Sequence, residues 1–289
     1  MGFNGCEMGK MNDIQNASNR DPKVAFVSGA SRGIGLACAS LLASQGYKVG
    51  LGVRDNSQAS CDRIFQEIRQ YLDTITEPTN CSDDPVSHHV KLDLTNIRIV
   101  PCDVRSTESV DGAFGKVESE LGQIEVVVAN AGITRDQISV RMKDDEWQEV
   151  LDTNLFGSFR VARRAATKML RLKRGRIIFI SSVSGTLGQA GQANYAASKA
   201  ALTGLARSLA RELASRSITV NVISPGAIDT DMLGAMNDSQ LSQIVDRIPM
   251  QRLGNTLEVA NLVAFLASEY ASYVTGAVIP VDGGLAMGG

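Results

Sequence analysis

"VAFVSGASRGIG", residues 24–35, decides how the rest of the chain is read. Its first part, VAFVS, is a short apolar run of strand type that ends in turn residues. Its second part, GASRGIG at 29–35, spaces its glycines as GxxxGxG. It leads into LACASLLASQG, which carries apolar residues at helical spacing and stops at Gly46. A glycine loop set between strand and helix suits a pyrophosphate. Gly29 permits a tight turn, and Gly33 and Gly35 have no Cβ to hold an anion or the sheet away. Ser31, Arg32 and Ile34 fill the spaces between them, and the free N–H groups and dipole of the helix start attract the charge. The bland alternative is a glycine-rich turn without a ligand.

The rhythm set there repeats along the chain. Further strands are expected at 47–53, 97–104, 124–132, 175–182, 218–226 and 277–284. Helices are expected at 61–72, 108–122, 194–215 and 257–268, with one long helix over 144–170. Apolar strands alternating with helices predict an α/β fold. The expected form is a Rossmann-type, doubly wound parallel sheet of about seven strands with helices on both faces. No repeat or Pro-rich linker divides residues 23–289, so one domain is expected. The first 22 residues lack periodicity and read as a mobile arm. Residues 73–96, polar and carrying Pro78 and Pro85, exceed the usual connection of about 2–6 residues and read as a surface insertion.

Composition excludes several classes. With 44% hydrophobic residues and a net charge of −2, the chain reads as a globular protein with a large core and no basic excess for nucleic acid. It has no apolar run long enough to cross a membrane. Five scattered cysteines without a CxxC pair suit a reduced intracellular compartment. A cytoplasmic location is expected, with an organelle matrix as the alternative, although Glu7, Asp13 and Asp21 count against a transit peptide. Cys6 stands where a myristoylation signal wants Ser or Thr. His88 and His89 lack partners at metal-ligand spacing, and no metal site is expected.

The end of the second strand should choose between two nicotinamide dinucleotides. An acid there grips a ribose 2′-OH, whereas cations take a 2′-phosphate. Arg54 is well placed and Arg32 can join it, with Asp55 one residue further out. NADP(H) is therefore favoured over NAD(H). The reaction site should lie beyond the carboxyl ends of the strands. There ANAG (129–132, including Asn130, Ala131 and Gly132) leaves room for a cofactor, and SSVSG (181–185) and SPGAIDTDM (224–232) end the next two strands. Tyr195 and Lys199 open the following helix four residues apart, on one face. A free tyrosine has a pKa of about 10, and a neighbouring ammonium should lower it. A tyrosine so tuned can give a proton to an alkoxide formed by hydride transfer, with Ser182 donating to the same oxygen.

GxxxGxG at 29–35, NAG at 130–132, Ser182, YxxxK at 195–199 and PG at 225–226 together resemble the short-chain dehydrogenase/reductase family, in its order, across residues 23–289. The resemblance implies a Ser182–Tyr195–Lys199 triad, with Asn154 holding a water in a proton relay that ends at Lys199. It also implies that Lys199 bonds the nicotinamide ribose, that Asp103 and Val104 meet the adenine, and that Asn130 and Gly132 line the cofactor. Pro225, Gly226, Ile228 and Thr230 would flank the nicotinamide. GITRDQISVRMKDDEWQEVLDTNLFGSF (132–159), GQANYAASKA (191–200) and LASRSITVNVISPGAIDTDM (213–232) are similar to the 3-oxoacyl-[acyl-carrier-protein] reductases. That likeness implies NADPH-dependent reduction of a 3-oxoacyl thioester, an acidic acyl carrier protein as partner, docking at Lys173, Arg174 and Arg216, and a homotetramer. The alternatives are a hydroxysteroid, sugar or other small-alcohol dehydrogenase and, from another class, a redox-sensing or non-catalytic NADP-binding assembly subunit. The intact Ser182, Tyr195 and Lys199 count against the second.

Overall fold

β1 (Val24–Ser28) is buried at every position, so both its faces must be covered. In the computed structural model, which describes residues 22–76, 94–230 and 238–287, they are. Ala25 and Val27 point into one apolar core, and Val24 and Phe26 into another. The second core includes Phe26 and Phe114, whose ring centroids are 4.5 Å apart.

The remaining elements follow as α1 (Gly33–Ser44), β2 (Lys48–Val53), α2 (Gln58–Thr76), β3 (Ile97–Pro101), α3 (Thr107–Leu121) and β4 (Ile124–Ala129). Then come α4 (Asp144–Leu151), α5 (Gly157–Leu172), β5 (Gly175–Ile180), α6 (Ser184–Leu187), α7 (Ala193–Leu213), β6 (Ile218–Pro225), α8 (Asp238–Val245), α9 (Thr256–Ala267) and β7 (Val278–Val281). The seven strands pair in the order β3-β2-β1-β4-β5-β6-β7, every pairing parallel. The order reverses between β1 and β4, the crevice where such sheets bind ligands. Residues of α1 and α9 fill one core, and residues of α3, α5 and α7 fill the other.

Three expectations change. The helix expected over 144–170 is interrupted: Asp152–Phe156 form a π-helical turn between α4 and α5, and Asn154 sits within it. Two helices, α6 and α8, were not expected. The supposed insertion is partly regular, because α2 runs to Thr76 and a 3-10 turn occupies Leu94–Asn96. The remainder of the insertion and the N-terminal arm lie outside the described residues. Among the described residues, no helix is long and apolar enough to cross a membrane, and no group of three or more His, Cys, Asp or Glu could hold a metal ion.

Candidate active site

A cavity of about 1230 Å³ lies along the carboxyl ends of β1 to β6. The glycine loop forms one wall. Gly29 takes a φ of 65°, and a Cβ there would stand 2.7 Å from the Ala131 backbone. At Gly35 a Cβ would meet the Gly29 carbonyl at 2.4 Å. The two glycines thus let the loop fold onto α1 and onto the end of β4. Gly35 does not itself reach the cavity, whereas Gly29, Ser31, Arg32, Gly33 and Ile34 line it. Asn130 fastens this wall to its neighbour, its amide donating to Ser28 O (3.2 Å) and Gly29 O (3.0 Å). Ala131 and Gly132 continue the lining beyond it.

At the β2 end, Arg54 and Asp55 both line the cavity. The Asp55 carboxylate accepts from Ser57 N at 2.9 Å, and that bond holds its pKa below the usual value. One oxygen of the acid is held by its own turn, and Arg54 faces the space beside it. Arg63, from the first turns of α2, also lines it, although nothing in its sequence position indicates this. Asp103 and Val104 are at the wall as expected. The Asp103 carboxylate is already gripped by Arg105, at 2.6 Å to one guanidinium nitrogen, and this pairing lowers its pKa.

At the β5 end the reactive groups converge. Ser181 N donates to Ile223 O (2.7 Å) and Val183 N to Pro225 O (2.9 Å), which carries Ser182 over the strand ends. Ser181 Oγ donates to Lys199 O at 2.8 Å, and Lys199 Nζ returns a bond to Ile180 O at 2.8 Å. The lysine is almost fully buried, and burial pulls its pKa down to about 8. Its ammonium lies 5.6 Å from the Tyr195 ring centroid.

Tyr195 departs from expectation. Its pKa is raised, chiefly by burial. A hydrogen bond with Ser182 draws it back, and Asp136 pushes it further up. The Lys199 ammonium, bonded to Ile180 O, does not outweigh that burial. Asn194, which sequence reading passed over, fixes the tyrosine's backbone. Its Oδ1 accepts from Tyr195 N (2.7 Å), and its amide donates to Arg135 O and Glu146 O.

Asn154 lies behind the cavity wall, close to Lys199. Its side chain is fully buried and does not line the cavity. Oδ1 accepts from Ile133 N (2.8 Å), and Nδ2 donates to Ile133 O and Ser198 Oγ (both 3.0 Å). With both ends engaged, it braces the Gly132 segment against α7.

Pro225, Gly226, Ile228 and Thr230 close the far wall. Asp229 N donates to Gly254 O and Gly254 N to Ala227 O, pinning that loop. The cations expected to dock a carrier fall elsewhere. Lys173 and Arg174 precede β5 and Arg216 precedes β6, so all three sit at the amino edge of the sheet. With β5 six residues long, that edge is about 20 Å from the cavity. Arg174 is also paired with Glu125 at 2.7 Å.

Residues 88–286, about two thirds of the chain, match the family model described as Enoyl-(Acyl carrier protein) reductase. The chain belongs to the short-chain dehydrogenase/reductase family. It is 42% identical to the 3-oxoacyl-[acyl-carrier-protein] reductase FabG of Escherichia coli K12, over 93% of this chain and 99% of that one. It is 44% identical to the 3-oxoacyl-[acyl-carrier-protein] reductase MabA of Mycobacterium tuberculosis H37Rv, over 91% of this chain and 92% of the other. Among solved structures it resembles a gluconate dehydrogenase candidate from Agrobacterium tumefaciens. There the TM-score is 0.79 and the identity 29%, over 92% of this chain and 97% of that one. Members of this oxidoreductase family use a nicotinamide cofactor, and the cavity fits one: a glycine cradle lies beneath the helix start, and a crevice runs from β2 to β5.

Proposed function

We propose that residues 23–289 work as one NADPH-dependent reductase that converts a 3-oxoacyl thioester of acyl carrier protein to the (3R)-3-hydroxyacyl thioester. One observation carries most of the chemistry. Ser182, Tyr195 and Lys199 line one wall of a cavity whose other end is a glycine cradle edged by arginines. Likeness to 3-oxoacyl reductases over more than nine tenths of the chain supports the substrate class.

In this reading Gly29 to Ile34 hold the pyrophosphate, and Arg32 and Arg54, joined by Arg63, hold the 2′-phosphate. Asp103 and Val104 meet the adenine, Asn130 to Gly132 line the middle, and Ile228 and Thr230 flank the nicotinamide. The bound cofactor supplies a hydride to the keto carbon. Ser182 and Tyr195 orient the keto oxygen by hydrogen bonds. The Tyr195 hydroxyl then gives its proton to that oxygen, and its raised pKa keeps the proton in place at neutral pH. The Lys199 ammonium holds the ribose and opposes the negative charge that develops on the phenol oxygen.

A homotetramer is part of the proposal. Phe156, Phe159 and Leu170 are exposed on the π-turn and α5, and Tyr270 and Tyr273 stand almost fully in solvent beside the last strand. These are apolar surfaces that subunit contacts would cover. Docking of an acidic carrier at Lys173, Arg174 and Arg216 is proposed only together with that assembly, because in one chain those cations lie on the opposite edge from the cavity. Free Cys38, Cys61 and Cys102 support a reduced compartment such as the cytoplasm or an organelle matrix.

The test is nicotinamide absorbance with four mixtures: acetoacetyl or crotonyl thioester, each with NADPH or NADH. Oxidation of NADPH by the acetoacetyl thioester alone is expected. Reduction of the crotonyl thioester instead would assign the activity in the family model's description, and preference for NADH would sink the roles of Arg32 and Arg54.

A further inference from the structure

Arginines stand at both ends of the cavity, Arg54 after β2 and Arg247 after α8. Arg247 is held over the loop that follows β7. Its neighbour Ile248 is buried against Gly283, Met250 N donates to Gly283 O at 3.1 Å, and Leu285 of the same loop lines the cavity with Arg247. In the sheet order, β2 and β7 are five strand spacings apart, about 24 Å. The proposed cofactor sites use the β2, β1 and β4 side and end at the β5–β6 loops. The phosphates of the dinucleotide belong to the β2 and β1 end, so Arg247 lies in the half left to the substrate.

Its chemistry there is unspent. At the other end of the cavity Arg105 is engaged by Asp103. Arg247 is exposed to the cavity and has no acidic partner among the described residues. A guanidinium with open donors takes a phosphate or carboxylate as a fork. A carrier-protein thioester hangs on a phosphopantetheine arm, with its keto group at one end and a phosphate at the other. With the keto oxygen at Ser182 and Tyr195, the arm leaves toward the open half of the cavity.

We infer that Arg247 is an anion subsite at the substrate end of the cavity, taking the phosphate of a phosphopantetheine arm. This rests on the thioester reading above and names what recognises the arm. The subsite serves carrier-protein and coenzyme A thioesters alike, since both carry that phosphate. It works by local charge and differs from docking of the carrier's acidic surface.

The experiment compares kcat/KM for acetoacetyl-pantetheine and acetoacetyl-4′-phosphopantetheine, which differ only in the phosphate. The wild-type protein should prefer the phosphorylated thioester by about tenfold. The preference should sit in KM and shrink with added salt. Arg247→Gln should bring the ratio close to one, and Arg247→Lys should restore part of it. A ratio in Arg247→Gln equal to that of the wild type, including an equal loss on both thioesters, would overturn the subsite. Reduction of neither thioester by the wild type would overturn the thioester reading itself, and the subsite with it.

Discussion

A buried cation stands at each end of β5, Arg176 on the strand itself and Lys199 reaching in from α7, and the two are treated in opposite ways. At the amino end Arg176 is 7% exposed, and at the carboxyl end Lys199 is 4% exposed. The Arg176 guanidinium donates to Gly175 O (3.0 Å), Ser268 O (3.3 Å) and Ser217 O (3.5 Å), and to the Glu269 carboxylate at 3.2 Å. Its charge is compensated, and the result is a staple between β5 and the chain ends around β6 and α9. The Lys199 ammonium has three protons and, among the described residues, one carbonyl acceptor at 2.8 Å, and its pKa falls to about 8. A buried charge is costly unless paired and hydrogen-bonded. The fold meets that requirement at the edge without a cavity and leaves it open at the edge with one. An under-compensated cation beside a tyrosine and a crevice is a group held ready for a ligand.

Replacing each cation should break the comparison in a different place. Lys199→Met should give the largest effect, a loss of at least about a thousandfold in turnover. The same variant should be more stable than wild type at pH 7 by roughly 2 kcal/mol, as measured by denaturant unfolding. The sign follows from the lowered pKa. The folded state binds the lysine proton less tightly than the unfolded chain, so the charge costs stability at neutral pH. That cost fades as pH rises from about 8 toward the unfolded value near 10.4, and the gap between variant and wild type should close over that window. A variant that is less stable at pH 7 would show the lysine to be compensated after all.

Arg176→Met should do the reverse. It should destabilise the protein by about 2 kcal/mol, since one buried and three part-buried hydrogen bonds lose their donor, while turnover per folded molecule stays within twofold. Lost turnover without lost stability would contradict the division between the edges. The smallest effect is the pH dependence of reduction. The rate should fall about tenfold per pH unit above about 8, where Lys199 loses its charge, while Tyr195, with its raised pKa, keeps its proton. A flat profile from pH 7 to 9 would remove the lysine charge from the mechanism.

How much of this was legible beforehand depended on range. The loop at 29–35 was readable because its evidence is local: a strand, three glycines and a helix, in that order. Tyr195 and Lys199 were readable as a pair because helical spacing puts them on one face. The direction of the Tyr195 shift was not, because burial comes from segments far away in sequence. Asn154 stands in the expected stretch, but its π turn has no residue signature, and the partners that occupy its amide, Ile133 and Ser198, lie 21 and 44 residues away. Arg63 and Arg247 reach the cavity only through the packing of α2 and of the segment after α8. Lys173, Arg174 and Arg216 read as a cationic group, but a motif does not report which edge of a sheet it occupies until the strand directions are known.

The central claim is that the Tyr195 hydroxyl supplies the proton for ketone reduction in this cavity. The direct measurement is Tyr195→Phe, followed in two ways: turnover with acetoacetyl thioester and NADPH, and the dissociation constant for NADPH by fluorescence. The account predicts a loss of at least about a thousandfold in turnover, with NADPH affinity within threefold of wild type. Turnover within tenfold of wild type would contradict it.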